Sequence, residues 1–218
     1  MKRLIACLMT LMLCLGTAGC EVAGSPTAQP SPALVDGTIE VHFIDVGQGD
    51  SALLLCGEES MLIDGGNVGD SSLVVSYLAE QGVQELDYVV CTHAHEDHVG
   101  GLSGPMARYT AGQVFSPVTE YASKAFGDFA RYTEEQGLDL AQPTPGETWN
   151  LGEAVVTVLG PQMVYEDPND TSIVLRVDFG EVSFLFTGDA ERTAEADMLD
   201  AGVELQADVL KVGHHGSN

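Results

Sequence analysis

The segment that most constrains this chain is a short run of residues whose side chains bind metal ions. His93, His95, Asp97 and His98 fall within six positions, directly after an apolar segment. Imidazole nitrogens and carboxylate oxygens are the usual ligands of zinc and similar ions. At the end of a strand, His93 and His95 would point the same way, and a turn would bring Asp97 and His98 towards a second position. The run therefore predicts a metal site with room for two neighbouring ions, in preference to an exposed polar loop that happens to be rich in histidine.

A second cluster lies near residue 215 and has the same character. Five of the six histidines fall in these two clusters, and His214 and His215 follow an apolar stretch that ends in Lys211. One of the two histidines is expected to complete a metal shell, and the other to donate a hydrogen bond or a proton to substrate. Lys211 is a candidate contact for a leaving oxygen or a phosphate.

Three aspartates are further candidates, because each lies at the end of an apolar segment or just before one. Asp189 follows an apolar strand and could bridge two cations, although Asp is also a favoured helix N-cap. Asp64 precedes two glycines and could orient the ligand loop, or it could only cap a turn. Asp170 on its own fits an ordinary polar turn.

The hydrophobic pattern predicts a layered α/β domain. Residues 39–43, 52–56, 61–63, 88–91, 155–159, 173–179, 182–186 and 209–212 are expected to form strands, and residues 73–78, 122–130 and 190–200 to form helices. Strands first follow one another and then alternate with helices. This order is typical of sheets that are covered by helices on their outer faces.

The N-terminal segment has the features of an export signal. Lys2 and Arg3 precede an apolar run that is too short to span a bilayer, and small residues lead to Cys20. Residues 1–20 are therefore interpreted as a lipoprotein-type signal peptide, with plain cleavage or an uncleaved anchor as alternatives. Residues 21–37, with three prolines, are interpreted as a flexible linker, and residues 38–218 as the folded domain. These features predict an extracytoplasmic bacterial protein, either secreted or bound to the membrane by an N-terminal lipid or signal anchor.

The charge balance limits the classes of partner. The chain has 33 acidic and 8 basic residues, a formal net charge of -25. Such a surface repels polyanions, so a nucleic acid would need bound metal to supply the local positive field. A small molecule is therefore favoured as a partner over a long polyanion. Cys56 and Cys91, the cysteines outside the signal segment, are interpreted as buried thiols in preference to a disulfide.

Taken together, these motifs resemble a known family. Asp64-Gly65-Gly66, the ligand run from His93 to His98, Thr187-Gly188-Asp189 and His214 follow, in order, the pattern of the metallo-β-lactamase superfamily. Residues 42–51, 92–101, 169–175, 184–189 and 210–217 resemble the hydrolase domain of the ComEC-type competence proteins, here as a stand-alone, secreted version.

The resemblance implies a four-layer αββα sandwich with two zinc ions at one edge of the sheets, Mn²⁺ being an alternative. It implies that His93 and His95 bind the first ion and that Asp97 and His98 bind the second. Asp189 would bridge the ions, and His214 would join the second site, with His215 as an alternate ligand or substrate contact. The chain stops directly after this cluster, where relatives continue, so the domain is expected to be incomplete at its C-terminus.

One departure concerns the third motif, which in the superfamily is usually a histidine on the first metal. The corresponding stretch here is Asn169-Asp170, so Asp170 or a water would fill that place, which weakens the case for β-lactamase activity in particular. The implied activity is hydrolysis of a phosphodiester or related ester by metal-activated water, with Asp97, Asp189 and His215 in catalytic roles. The alternatives are carbon-ester, thioester or lactam hydrolysis, or a non-catalytic, lipid-anchored metal-binding protein.

Overall fold

A computed structural model describes residues 37–217. The predicted signal peptide and all of the predicted linker except Gly37 lie outside this range. The strands are β1 (Ile39–Phe43), β2 (Ala52–Cys56), β3 (Glu59–Ile63), β4 (Leu86–Val90), β5 (Ala111–Phe115), β6 (Leu140–Ala141), β7 (Thr148–Leu151), β8 (Ala154–Gly160), β9 (Val174–Phe179), β10 (Val182–Phe186) and β11 (Val209–Lys211). The helices are α1 (Ser71–Glu80), α2 (Glu96–Val99), α3 (Ser103–Arg108), α4 (Lys124–Glu135) and α5 (Arg192–Ala201).

The first sheet contains β1 to β6 in chain order. The strands β1, β2 and β3 pair antiparallel, whereas β4, β5 and β6 continue the sheet in parallel. The difference follows from the connections. A tight turn joins β2 to β3, but helices connect the later strands, and a helical crossover returns the chain in the same direction.

The second sheet has the strand order β11-β10-β9-β8-β7. Its strands β7 to β10 form an antiparallel meander, and β11 is parallel to β10 because α5 connects them. The parallel pair β3–β4 of the first sheet and the parallel pair β10–β11 of the second are the two that matter for the site.

Buried side chains form three layers of contact. Leu54, Met61 and Phe115 of the first sheet pack against Val156 and Leu175 of the second, and each of the five is at most 1 % exposed. Burying a side chain of this size stabilises the fold by about 1.5–3 kcal/mol. A second cluster lies between the first sheet and α1, α3 and α4, and a third lies under α5. This arrangement confirms the predicted four-layer αββα sandwich.

The predicted elements and the structure differ in a few places. The hairpin β9–β10 and helices α1 and α5 are close to the predicted ranges, but β5, β6, β7 and α2 were not predicted. Helix α4 begins at Lys124 and not at Ala122, because the Ser123 hydroxyl caps it by accepting the Phe126 N–H at 3.1 Å. Cys56 and Cys91 are free and buried, as expected. In the part of the chain that the structure describes, no helix is both long and apolar enough for a membrane span.

Candidate metal centre

The candidate site forms where the two parallel strand pairs end. The segment after β3 contains Asp64, the segment after β4 contains His93 to His98, and the segments after β10 and β11 contain Asp189 and His214-His215. Parallel neighbours present their carboxyl ends at the same edge of a sheet. The two sheets therefore contribute two ligand segments each to one end of the sandwich.

Close packing of glycines joins the Asp64 segment to the ligand run. The Gly65 N–H donates to the carbonyl of His98 at 2.8 Å, and the Gly101 N–H donates to the carbonyl of Gly66 at 2.9 Å. A Cβ on Gly101 would lie only 1.8 Å from the Gly65 oxygen. Any larger residue at position 101 would separate the two segments, which explains the glycines after the histidines.

His93 and His95 form the first group of ligand atoms. His93 Nε2 lies 3.1 Å from His95 Nδ1 and 3.9 Å from Asp189 Oδ2. Burial, reinforced by the positive charge of His98, lowers the pKa of His93 to about 2. His93 is therefore neutral at pH 7, the form in which an imidazole nitrogen has a lone pair for a metal.

His98 and Asp189 form the core of a second group. His98 Nε2 lies 3.2 Å from Asp189 Oδ1, but the geometry gives neither atom a hydrogen bond within residues 37–217. The opposite nitrogen, Nδ1, lies 2.8 Å from Asp64 Oδ2, and Asp64 also accepts the backbone N–H and the hydroxyl of Thr92. Two buried polar atoms that converge without bonding each other fit a shared cation.

The charges in this group support each other. Burial by itself would lower the pKa of His98, but the negative charges of Asp64 and Asp189 outweigh burial and raise this pKa to about 10. Burial also works against ionised Asp189, yet His98 holds the pKa of this carboxyl well below its usual range. Without metal, His98 is therefore protonated at neutral pH, and a metal ion must displace that proton.

The pH dependence of the metal-free protein follows from the raised pKa of His98. A group whose pKa is raised by folding stabilises the folded state. This contribution is complete below the pKa of the unfolded chain, here 6.5, and is lost as the pH rises through the folded-state pKa of about 10. We expect the free energy of unfolding in a chelator to fall by up to about 1.4 kcal/mol per pH unit above pH 7. Urea unfolding at pH 7, 8 and 9 measures the slope. His98→Gln should flatten it, and equal slopes in both proteins would contradict the assignment.

The two histidines of the second cluster face different neighbours. His215 Nε2 lies 3.3 Å from Asp189 Oδ2 and 3.5 Å from Asp97 Oδ2, so this side chain joins the group around His98. His214 Nε2 lies 4.0 Å from Asp189 Oδ2, and its Nδ1 lies 2.7 Å from Glu191 Oε1. Both histidines of the 3₁₀ turn Gly213–Gly216 therefore reach Asp189 Oδ2, but their other neighbours differ.

Sequence reasoning did not single out Asp50, which the structure places in the centre. Asp50 Oδ1 lies 3.5 Å from His215 Nδ1, and Asp50 forms an ion pair with Lys211. Burial raises the pKa of Asp50, and the charge of Lys211 acts in the opposite direction. Gly49 allows this approach, since a Cβ there would lie 2.3 Å from the Asp97 carbonyl oxygen. The acidic residue after the Gly47-Gln48-Gly49 turn was the available signal.

Asp170 and Lys211 have distinct surroundings. Asp170 Oδ1 accepts the backbone N–H groups of Glu191 and Ala194, at 3.0 and 3.2 Å, and so fixes the start of α5. Lys211 donates to the Gly188 carbonyl at 2.8 Å, and its Nζ lies 3.7 Å from Asp189 Oδ1. The structure thus brings Lys211 to the ligand group and gives Asp170 backbone partners.

The donor set fits divalent metal ions. Ligand atoms of Asp50, His98, Asp189 and His215 all lie within 4.8 Å of one another. The unpartnered His98 Nε2 and Asp189 Oδ1 face this group, and His93 and His95 add two imidazoles beside it. Nitrogen and carboxylate ligands suit zinc, and carboxylates also suit manganese.

A helix-flanked double sheet with a His/Asp cluster suited to metal ions at its edge places the chain among the layered α/β sandwich proteins. The family model of the metallo-beta-lactamase superfamily matches residues 44–218. The chain therefore belongs to the metallo-beta-lactamase superfamily, whose members are generally hydrolases that bind zinc.

Three curated relatives are similar over most of this chain. ComE operon protein 3 of Bacillus subtilis is 29% identical over 82% of this chain and 25% of its own length. Competence protein ComA of Neisseria gonorrhoeae is 30% identical over 90% of this chain and 26% of its own. Recombination protein 2 of Haemophilus influenzae is 29% identical over 83% of this chain and 22% of its own length. The chain thus spans about a quarter of the length of these relatives.

Solved structures share the fold. A beta-lactamase from Chitinophaga pinensis matches with a TM-score of 0.57 at 16% identity, covering 87% of this chain and 80% of that one. The metallo-beta-lactamase fold protein YhfI from Bacillus subtilis matches with a TM-score of 0.55 at 17% identity, covering 84% of this chain and 77% of that one. At these identities the likeness concerns the fold alone.

Proposed function

We propose that this protein is a hydrolase that uses two divalent metal ions, zinc in the first place, to cleave a phosphodiester or a related ester. One observation supports it above the others: nitrogen ligands approach both oxygens of the Asp189 carboxylate. His93 Nε2 lies 3.9 Å from Oδ2, and His98 Nε2 lies 3.2 Å from Oδ1. A carboxylate approached on both oxygens is suited to bridging two cations.

The protein residues around the ions would divide the remaining work. Bound cations would supply Lewis acidity, activating water and polarising the scissile group. Asp97 and Asp189 would orient the attacking water through their oxygens. His215 lies within 3.5 Å of both carboxylates and would hold an ion there, beside His98.

Lys211 favours an anionic substrate. Its ammonium group lies beside Asp50 and Asp189 at the ligand group, where it would neutralise a substrate oxygen as negative charge develops. A cleft of about 150 Å³ adjoins it, with the half-exposed Phe43 at its wall and Phe186 at a ring-centroid distance of 6.0 Å. This apolar wall would hold an uncharged part of the substrate. The cleft is lined by Phe43, Ile44, Gly49, Asp50, Ser51, Ala52, Ile63, Asp64, Thr92, Phe186, Gly188 and Lys211.

The relatives and the surface charge bear on the class of phosphodiester. Two of the relatives are named for competence and for recombination, and recombination concerns DNA. This chain has a net charge of -25, however, which repels a long polyanion. We therefore propose a small or cell-wall phosphodiester as substrate, outside the cytoplasm at the cell envelope, with an N-terminal lipid or signal anchor as the membrane contact.

Thioester hydrolysis is the second candidate. A hydroxyacylglutathione hydrolase of Stenotrophomonas maltophilia is 29% identical over 66% of this chain and 48% of its own length. Acylglutathiones are thioesters, and the same two-metal chemistry would attack them. Lys211 distinguishes the two candidates. Its positive charge would stabilise an anionic phosphodiester more than a thioester, which is neutral.

A substrate panel with matched variants tests the proposal. The zinc- or manganese-loaded chain should hydrolyse bis(p-nitrophenyl) phosphate. His95→Ala and Asp97→Asn should each slow hydrolysis at least ~100-fold, because losing a metal ligand removes several kcal/mol of transition-state stabilisation. The exposed Asp200→Asn is the control. Turnover of S-acylglutathione but not of the phosphodiester would favour the second candidate, and metal binding without turnover of any ester would contradict both.

A further inference from the structure

The two adjacent histidines of the second cluster diverge because of their backbone. His214 and His215 both have positive φ, 43° and 52°, a left-handed conformation that non-glycine residues rarely adopt. Two successive left-handed residues turn the chain sharply, and the two ring centroids lie 6.0 Å apart. Backbone strain of this kind is retained where the surrounding structure requires it, and here it brings two adjacent imidazoles to Asp189 Oδ2 with different further neighbours.

His214 lies in a small polar clamp. Its Nδ1 lies 2.7 Å from Glu191 Oε1, and the Asn169 side-chain amide donates to the same oxygen at 2.9 Å. Asn169 is 7 % exposed, and its Nδ2 lies 3.5 Å from His214 Nδ1. Asp170 holds the backbone of Glu191 in place, because its Oδ1 accepts the Glu191 backbone N–H at 3.0 Å. These contacts fix Glu191 and, through it, the ring of His214.

The free nitrogen of this clamped ring faces the first metal group. His214 Nε2 approaches Asp189 Oδ2 at 4.0 Å, and His93 Nε2 approaches the same oxygen at 3.9 Å. If Glu191 accepts the proton on Nδ1, Nε2 has a free lone pair in that direction. His215 Nε2 lies closer to this oxygen, at 3.3 Å, but the other neighbours of His215 belong to the second group. They are Asp97, Asp50 and the ring of His98, at a centroid distance of 5.3 Å.

Apart from His214, the first metal group has two histidines and the Asp189 carboxylate that it would share with the second group. Catalytic zinc takes three protein ligands and a water and can expand to five ligands, so a further imidazole can bind beside that water. The sequence pointed to Asp170 for the third-motif ligand, but the Asp170 Oδ1 accepts hydrogen bonds from the start of α5. We propose that His214 is the third histidine of the first metal site, with Glu191 as its positioning residue, and that His215 serves the second. This assignment rests on the proposed two-metal site.

The assignment can be tested in two variants of the full 218-residue chain, each of which keeps one metal site. The quantity measured in each is the affinity for Zn²⁺. Asp97→Asn should leave mainly the first site, and His95→Ala mainly the second, with elemental analysis confirming about one ion in each. In the Asp97→Asn protein, His214→Ala should weaken Zn²⁺ binding at least ~100-fold. Glu191→Gln should weaken it about 10- to 100-fold, as partners of metal-bound histidines do. Competition with a chromophoric chelator measures both.

The His95→Ala background provides the matched control. There, His214→Ala and Glu191→Gln should change the Zn²⁺ affinity less than about threefold, whereas His215→Ala should reduce it at least ~100-fold. A His214→Ala effect in this background alone, or in neither, would overturn the proposal. Glu191→Gln preserves side-chain volume and keeps the test decisive if His214→Ala fails to fold. If the affinities follow this pattern but no phosphodiester is hydrolysed, the proposed function is wrong and the ligand assignment still holds.

Discussion

Replacing Asp189 with asparagine should cause the largest functional loss of any single substitution. The carboxylate is 2 % exposed, and within residues 37–217 four histidines and Lys211 approach it within 4.0 Å. The amide keeps the size of the side chain but removes the negative charge and one acceptor oxygen. We expect bound metal to fall from about two ions to one or fewer per chain, and hydrolysis to fall at least ~10³-fold.

Elemental analysis of purified protein, followed by turnover with added metal, separates the two effects. Asp200→Asn, an exposed aspartate on α5, removes the same charge away from the site and should change neither quantity. Two ions per chain and near-normal turnover in Asp189→Asn would show that this carboxylate does not bridge the metals.

Substituting Asp64 with asparagine should cause the largest loss of stability. Asp64 is fully buried, and its oxygens accept from the Thr92 backbone and hydroxyl and lie 2.8 Å from His98 Nδ1. Asparagine tolerates the positive φ of 57° at this position and can still accept the backbone N–H. It leaves protonated His98 without its nearest counter-charge, so we expect a loss of about 3 kcal/mol in the metal-free protein.

The same change should weaken Zn²⁺ binding about 10- to 100-fold, since Asp64 orients a histidine that binds through its other nitrogen. Chemical denaturation with and without metal measures both quantities. Asp45→Asn, at an exposed aspartate of a neighbouring turn, should stay within about 0.5 kcal/mol of the parent protein. Equal stabilities of the Asp64 and Asp45 variants would contradict the counter-charge role.

Local signals predicted the parts of the site that lie within one segment. The run from His93 to His98 and the aspartate after Thr187-Gly188 each follow an apolar strand, so their type and spacing were visible in the sequence. The hairpin β9–β10 was predicted for the same reason, because its alternation and its Gly180-Glu181 turn are local. Periodicity did not reveal β6 or β7, since a two-residue and a four-residue strand are too short to show it.

Long-range geometry was the part that the sequence did not reveal. Asp50 reaches the centre because Gly49 packs against the backbone of Asp97, 48 positions along the chain. The different roles of His214 and His215 depend on two left-handed backbone conformations, and identical neighbours in sequence give no sign of them. Glu191 was passed over because a glutamate at the start of a helix is common, and only the fold shows His214 beside it.

The two sheets contribute ligand segments to one centre, and this has a consequence for the order of events as the chain matures. The segments after β3 and β4 are made early, but Asp189 and His215 come from the other end of the domain. An ion bound by ligand segments of both sheets would connect the two halves of the domain. Tight metal binding would therefore have to wait until residue 215 has been synthesised and the two sheets have packed together. Metal occupancy would then report completed assembly, and separated halves should each retain the ion weakly.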